Sequence, residues 1–580
     1  MSDLNISRKN IHTVFTERGG KFLIPDYQRP YSWGKDECET LWEDLKNFAF
    51  PEEDYFDDDN DEYFLGTIVT LYNPEYRQTE VIDGQQRLIT LLLLLRAFYE
   101  AFSDKTSDGC KEIAKCIWKI NPDYTPDKSH FKIKSEVATD DDTAEFNKII
   151  AEGVTTRGNK SKYAENYRFF QKKILEMKMD QVEQFSIFPK RILENCIVLP
   201  IVTNTFSTAL RIFTTLNDRG MPLSDSDIFK SQFYKFFKAQ GKEAKENFVK
   251  RWRELESICN DNFHPRRCTP MDDLFMKYMY YLIAKSETKS DTFHGLRVYY
   301  EKNNYEILKS EKVFEDLITL ANFWNDIALR DSERFSPRIL KSLYILSFSP
   351  YSIWENIVSL YFMGNKDSRG KLDDERFYKF LNKITAMFLM QAVDQPGVQA
   401  IRRPFFMEFQ NILHDRELNF TEFILDENNF RIKFTSTKFS NTKAITRAIL
   451  AWWLFQNEKQ ELPPLGTKLE IEHIYAKKRH EMEPLPHESF LEWFGNKALL
   501  EKNINIRASD YRFADKKKYY LGKTNKKNEI PTFNLELQNL AVTHEDFDAN
   551  DIRERNKRIS DSFINYLLQN NLLRTVQEEK

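Results

Sequence analysis

Residues 80–95 read E-V-I-D-G-Q-Q-R-L-I-T-L-L-L-L-L, the stretch that limits the possible folds most tightly. Val81-Ile82 predicts a short apolar strand, Asp83-Gly84 a tight turn, and Leu88 to Phe98 a helix apolar on nearly every face. Such a helix must be buried. Glycine at the turn permits a sharp reversal and a close backbone approach to a ligand. The helix opens with free N–H groups beside Gln85, Gln86 and Arg87, a geometry that suits phosphate. Polar side chains at the mouth of a buried helix are costly unless they bind something.

The flanking sequence builds a frame for this turn. Tyr63 to Tyr72 is β-branched and aromatic and predicts a strand, with a turn at Asn73-Pro74. The order is strand, turn, strand, tight turn, buried helix. Upstream, residues 22–33 read F-L-I-P-D-Y-Q-R-P-Y-S-W, and two prolines hold them extended. Tyr27, Tyr31 and Trp33 stand beside Gln28 and Arg29, a set that suits a base, a sugar or a nucleic-acid end, or that closes a core. Lys35 to Phe48 predicts an amphipathic helix, and the acidic residues 51–62 a solvated loop.

At 580 residues the chain must split into several domains. The net charge of −4 hides an acidic run at 51–62 and basic runs at Lys477–Arg479, Lys516–Lys518 and Lys523–Lys527, so a nucleic-acid surface is expected in the C-terminal third. Six cysteines without framework spacing suggest reduced thiols and a cytoplasmic setting. The N-terminus has no signal-peptide pattern, and no apolar run is long enough to span a membrane.

Residues 100–190 predict helices around a looser stretch at 121–143, with Asp140–Asp142 near a helix start. Val198 to Val202 predicts a strand. Ala209, Ile212, Phe213 and Leu216 share a helical face that ends at Asn217-Asp218-Arg219-Gly220, and Ser224 to Asp227 caps the next helix, which carries Lys230. Residues 235–440 are helical and aromatic. Cys259, His264 and Cys268 lie close together, but a structural zinc site wants four ligands and no fourth is nearby.

In the C-terminal third, Leu469 to Ile474 alternates like a strand and presents Glu472-His473. Gly495-Asn496 follows a loop, Asn505 opens a helix, and Arg507, Arg512, Lys516, Lys517 and Lys518 come after. A carboxylate and an amide oxygen can hold a hard divalent cation, and a neighbouring histidine can deprotonate water. Lysines and arginines can hold flanking phosphates.

These residues resemble two known modules. The C-terminal set resembles the HNH (ββα-metal) nucleases with the pattern E-H-I-x-P … G-N-L-x-L … N … F-x-x-K. It is carried by Glu472-His473-Ile474, Gly495-Asn496, Leu499, Asn505 nine residues after Asn496, Phe513 and Lys516. The resemblance implies His473 as general base, Asn505 and Glu472 as metal ligands, Asn496 as the residue that orders the loop, and Lys516 as part of the catalytic set, with Mg²⁺ as the divalent metal. Ala476 stands where the pattern has proline, Lys497 where it has an apolar residue, and Asp510 where asparagine is usual.

The N-terminal set resembles the ParB-like NTPase domain of GmrSD-type (type IV) restriction enzymes. The matching blocks are Ile24 to Trp33, Phe64 to Ile68, Ile82 to Thr90 and Phe213 to Lys230. The resemblance implies that Asp83, Gln85, Gln86 and Arg87 hold or hydrolyse a nucleoside triphosphate (GTP or ATP) and that Gly84 lets the phosphates approach. Tyr27, Gln28, Arg29, Tyr31 and Trp33 would line the adjoining pocket, completed by Arg219 and Lys230.

The expected fold is α+β and predominantly helical. It comprises a ParB-like α+β domain (1–235), a helical connector (236–440) and a ββα-metal HNH domain (441–580). The expected function is an NTP-regulated, modification-dependent endonuclease of anti-phage defence. Its partner would be double-stranded, modified phage DNA, with a homodimer attractive because one HNH site cuts one strand per encounter. The alternatives are a nucleotide-dependent DNA sensor with a degenerate HNH module that recruits another effector, and a nuclease toxin.

Overall fold

A computed structural model of the chain describes residues 5–17, 21–25, 28–51, 56–58, 60–73, 78–137, 142–203, 208–209, 212, 224–266, 268–286, 295–509, 511–523 and 530–575. The chain is α+β and predominantly helical, and it divides into two compact units, Met1–Glu254 and Leu255–Lys580.

In the first unit the strands are β1 (Asn5–Ile6), β2 (Lys9–Asn10), β3 (Phe22–Ile24), β4 (Tyr63–Asn73), β5 (Gln78–Asp83), β6 (Trp118–Ile120), β7 (Pro126–Phe131), β8 (Ile133–Ser135) and β9 (Cys196–Thr203). Among the described residues seven of them form one mixed sheet in the order β1-β9-β4-β5-β3-β8, with β2 also on β9. β4 runs parallel to β9 and antiparallel to β5, pairing Thr70 with Val81. Val81 and Ile82 are buried, as a central strand requires.

β5 ends at Asp83, and Gly84 turns the chain at φ +92°, where a Cβ would lie 3.2 Å from the Ile68 side chain. The turn therefore needs glycine on conformational and steric grounds. The helix Gln85–Ala101 then enters the core, where Leu88 and Leu91 to Leu95 have no exposed surface. Each such leucine contributes about 2 kcal/mol of burial free energy. Arg96 is buried on the same helix; its Nε donates to Ile150 O and its guanidinium lies over Tyr99 and Trp118. The helix Lys35–Ala49 buries Cys38, Leu41, Trp42 and Leu45 against this core.

Residues 121–137 form more regular structure than their composition predicts. β6 and β7 form a hairpin, and β8 extends the main sheet beside β3. β7 reads P-D-K-S-H-F and leaves three residues exposed, so it lacks an apolar alternation to read. The strand predicted at Val198–Val202 is β9. Ala209 and Ile212 pack near Val69 and Ile82, and Ser224 caps the helix Asp225–Ala239 in a capping box with Asp227. The rest of the 209–223 stretch, including Arg219, lies outside the described residues, as do Tyr27, Asp140, Asp141 and Asp510.

The second unit is mostly helical. Helices such as Pro270–Lys285, Ile353–Asn365 and Asp374–Asp394 share an aromatic core in which Phe323 stacks on Phe362 at 4.0 Å. Cys259 is buried and Cys268 exposed, and among the described residues no group of three or more His, Cys, Asp or Glu side chains is arranged to hold a metal. Two short strands, β10 (Leu425–Asp426) and β13 (Leu573–Arg574), pair in parallel. Between them in sequence, β11 (Leu469–His473) and β12 (Lys497–Glu501) form an antiparallel pair that runs into the helix Lys502–Ala508, a ββα unit. No described helix is long and apolar enough to cross a membrane.

Candidate active site

Two polar centres stand at the places the sequence marks. In the first unit, the turn after β5 is tied to the extended segment before the helix Lys35–Ala49. Gln86 accepts from the N–H groups of Ser32 (2.8 Å) and Trp33 (3.3 Å), and its amide nitrogen donates to Pro30 O at 3.2 Å. Gln85 donates to Arg29 O, and Gln28 donates to Val81 O and Ile82 O. Tyr31 is buried; its hydroxyl meets Thr90 Oγ1 at 2.7 Å and accepts from Asn166, and its ring stacks on Tyr163. Trp33 is half-buried, with its carbonyl bonded to Asn166. Gln28, Tyr31 and Gln86 therefore brace the turn.

Asp83, Arg29 and Arg87 are the half-buried charges there. Burial pushes the Asp83 carboxyl up, against the opposing pull of the Gly84 N–H, Arg87 and Arg29. Arg87 donates through one nitrogen to Thr67 O. Gln85 Oε1 is buried without a hydrogen-bond partner. The two half-buried guanidinium groups near the Asp83 carboxyl suit phosphate oxygens in chemical type. Lys230 is buried, its ammonium 5.8 Å from the Trp252 ring centroid.

In the second unit the pleat of β11 sorts the acidic pair from the histidine. Alternate residues face alternate sides, so Glu470 and Glu472 look one way and His473 the other. Glu472 Oε1 accepts from Lys516 Nζ and from the Tyr520 hydroxyl, both at 2.7 Å. Burial raises its carboxyl pKa, opposed chiefly by Lys516. Lys516 is almost fully buried and also donates to His473 O, so it braces this strand and is closed to a DNA phosphate. Asn505 donates to Glu470 Oε2 at 2.9 Å, leaving its amide oxygen available.

Asn496 is fully buried and spans the hairpin: its oxygen accepts from Tyr475 N–H (2.6 Å), and its nitrogen donates to Tyr475 O and Leu491 O. Gly495 beside it lies against the helix Ala549–Gln569, where a Cβ would fall 2.0 Å from Ile552 O. Arg555 of that helix donates to the carbonyls of Phe494, Gly495 and Lys497.

His473 Nε2 is buried with no hydrogen-bond partner, and the nearest acid, Glu492, has Oε1 at 3.9 Å. Burial and the neighbouring Lys497 and Lys477 push the imidazole down to about 4. The ring is therefore neutral at physiological pH, the state a general base needs. Glu492 also binds the buried Lys497 at 2.6 Å. Lys497, at a position where the pattern has an apolar residue, is thus matched by a local carboxylate. Ala476 sits at φ −66°, ψ 144°, the conformation that proline would fix.

Glu470, Glu492, Tyr520 and Arg555 were not singled out in the sequence. The alternation L-E-I-E-H places Glu470 on the face of Glu472, and a lysine on a buried strand calls for a counter-charge, which points to Glu492. Nothing local marks Tyr520 or Arg555. The oxygen donors Glu472 Oε2, Asn505 Oδ1 and Glu470 suit a hard dication in type.

A family model described as the GmrSD restriction endonuclease N-terminal domain matches residues 11–234, and one described as the GmrSD restriction endonucleases C-terminal domain matches residues 425–562. None of the curated proteins compared matches the chain.

Proposed function

The chain belongs to the GmrSD restriction endonuclease family, and from that premise we propose a nucleotide-gated, modification-dependent DNA endonuclease whose strand-breaking group is His473. The observation that carries this reading is the neutral, partly enclosed imidazole at the end of β11, on a ββα unit pinned by Asn496. With Nε2 turned toward Glu492, Nδ1 is the nitrogen left to take a proton from the attacking water. Asn496 and Lys516 are positioning residues: one fixes the loop after the histidine, the other holds Glu472 and the His473 carbonyl. Glu472, Asn505 and Glu470 would hold a divalent cation, Mg²⁺ by donor type; when bound it supplies charge stabilisation at the phosphate.

In the first unit, Asp83, Gln85, Arg87 and Arg29 would face the nucleoside triphosphate, with Gly84 at the close approach. Gln28, Tyr31, Trp33 and Gln86 hold the pocket wall. Residues 1–235 would sense nucleotide and DNA modification, 236–440 would connect, and 441–580 would cut double-stranded phage DNA. Ala476 in a proline-compatible conformation and Lys497 neutralised by Glu492 favour an active centre over a degenerate one.

The test is cleavage of modified and unmodified phage DNA with Mg²⁺, with and without GTP or ATP. Cleavage of modified DNA alone, dependent on nucleotide, is expected; equal cleavage of both under all conditions would sink the gating. His473→Ala should lower cleavage by about 10³-fold with nucleotide hydrolysis intact, and normal cutting by that variant would remove His473 from the mechanism.

A further inference from the structure

Beside the nuclease hairpin lies a groove of about 1160 Å³, walled by residues in 459–468, by the helix Lys502–Ala508 and by residues in 530–538. Four cations line it, Lys459, Lys468, Lys502 and Arg507, against two carboxylates. One of those, Glu501, is already occupied: it accepts from the Thr532 hydroxyl at 2.6 Å and the Phe533 N–H at 2.7 Å. Those neutral donors leave its charge in place, and the lining still carries two more cations than carboxylates.

Its walls are tied together. Lys502 N–H donates to Lys468 O at 2.9 Å, and the buried Gln460 donates to Phe533 O and accepts from Leu535 N–H. A preformed wall spares a ligand the cost of ordering it. The helix Lys502–Ala508 links the groove to the oxygen donors. Lys502 Nζ lies 3.7 Å from Glu470 Oε1, and Asn505 binds the other oxygen of that carboxylate. From Lys468 to His473 the chain runs along β11 for about 16 Å, at about 3.3 Å per residue. That distance is short on the scale of a DNA backbone, a few phosphates along one strand.

We propose that this groove seats the sugar–phosphate backbone of the DNA substrate a few nucleotides from the bond that is cut, with Lys459, Lys468 and Lys502 on its phosphates. This rests on the nuclease reading and deepens it. It also moves phosphate contact away from Lys516, which is buried in the hairpin.

The test is equilibrium binding of the full-length chain to a fluorescent DNA duplex in EDTA, across a salt series. Lys459→Glu/Lys468→Glu should weaken binding about tenfold or more and flatten the dependence of log K on log salt by about 2. Lys459→Arg/Lys468→Arg should bind as the wild type does. A charge-matched control at exposed lysines of the first unit, Lys172→Glu/Lys190→Glu, should change little. Unchanged affinity and slope in the groove variant, or an equal loss in the control, would overturn the groove. So would a groove variant whose melting temperature falls with its affinity. The nuclease reading is judged separately: if the wild type hydrolyses neither DNA nor bis(p-nitrophenyl) phosphate, that reading fails while metal-free binding still reports on the groove.

Discussion

Asn496 makes three hydrogen bonds from a fully buried amide, and none of its partners has water to fall back on. Asn496→Ala strands the Tyr475 N–H and two carbonyls. At about 1–3 kcal/mol for each buried group left unpaired, the melting temperature should drop by several degrees, and cleavage should fall with it because the loop after His473 loosens. An unchanged melting curve would mean that the loop is held by something else. A second residue carries a pH dependence. Arg479 binds Asp546 through two nitrogens at 2.7 and 2.6 Å, and that pairing holds the Asp546 carboxyl below its usual range. The folded pKa is thus lower than the unfolded value of about 3.9, so the pairing stabilises above that pH and is lost as pH falls through the folded pKa. Asp546→Asn should lower the melting temperature at neutral pH, with the gap from wild type closing in strong acid. A gap of constant size would show that the charge is not what matters.

At the scale of elements, the ββα unit and the helix Ala549–Gln569 meet with no room for a side chain. Gly495→Ala should force the hairpin off that helix and cost stability and activity together. Ala476→Pro should do the opposite: the backbone already has proline's φ, so thermal stability should hold or rise by up to about 1 kcal/mol, and a clear loss of stability would show that the Ala476 N–H has work to do. The strands β4, β5, β9 and β11 and the buried helix after Gly84 were legible because apolar periodicity and glycine mark them. β7 and β8 were not, since polar edge strands are set by their neighbours and carry no pattern of their own. His473, Asn496 and Glu472 are marked as candidates by their spacing along one chain segment. The partners that define their environment, Glu492, Tyr520 and Arg555, are fixed only by tertiary packing. The same limit hid the burial of Lys516, which reads in sequence as one more lysine in a basic run.

For the whole molecule, the proposed role of His473 gives each chain one cutting site, and one site breaks one strand per encounter. Supercoiled plasmid bearing the recognised modification should give nicked circles first, with linear product rising as protein concentration promotes pairing of chains. Linear product that appears without a nicked intermediate at the lowest concentrations would require a preassembled pair. A last consequence concerns how such a chain can change over generations. Gln86 joins residues 54 positions apart, Ser32 and itself, through an acceptor at one corner of its amide and a donor at the other. Glutamate would set an oxygen against Pro30 O, and asparagine is one methylene too short. Because the partners are backbone groups, this tie constrains the length and path of segment 30–33 whatever side chain the exposed Ser32 position carries, while Tyr31 is held by its own contacts. An insertion there should be tolerated only with a compensating change at Gln86, so the two distant stretches are inherited as one unit.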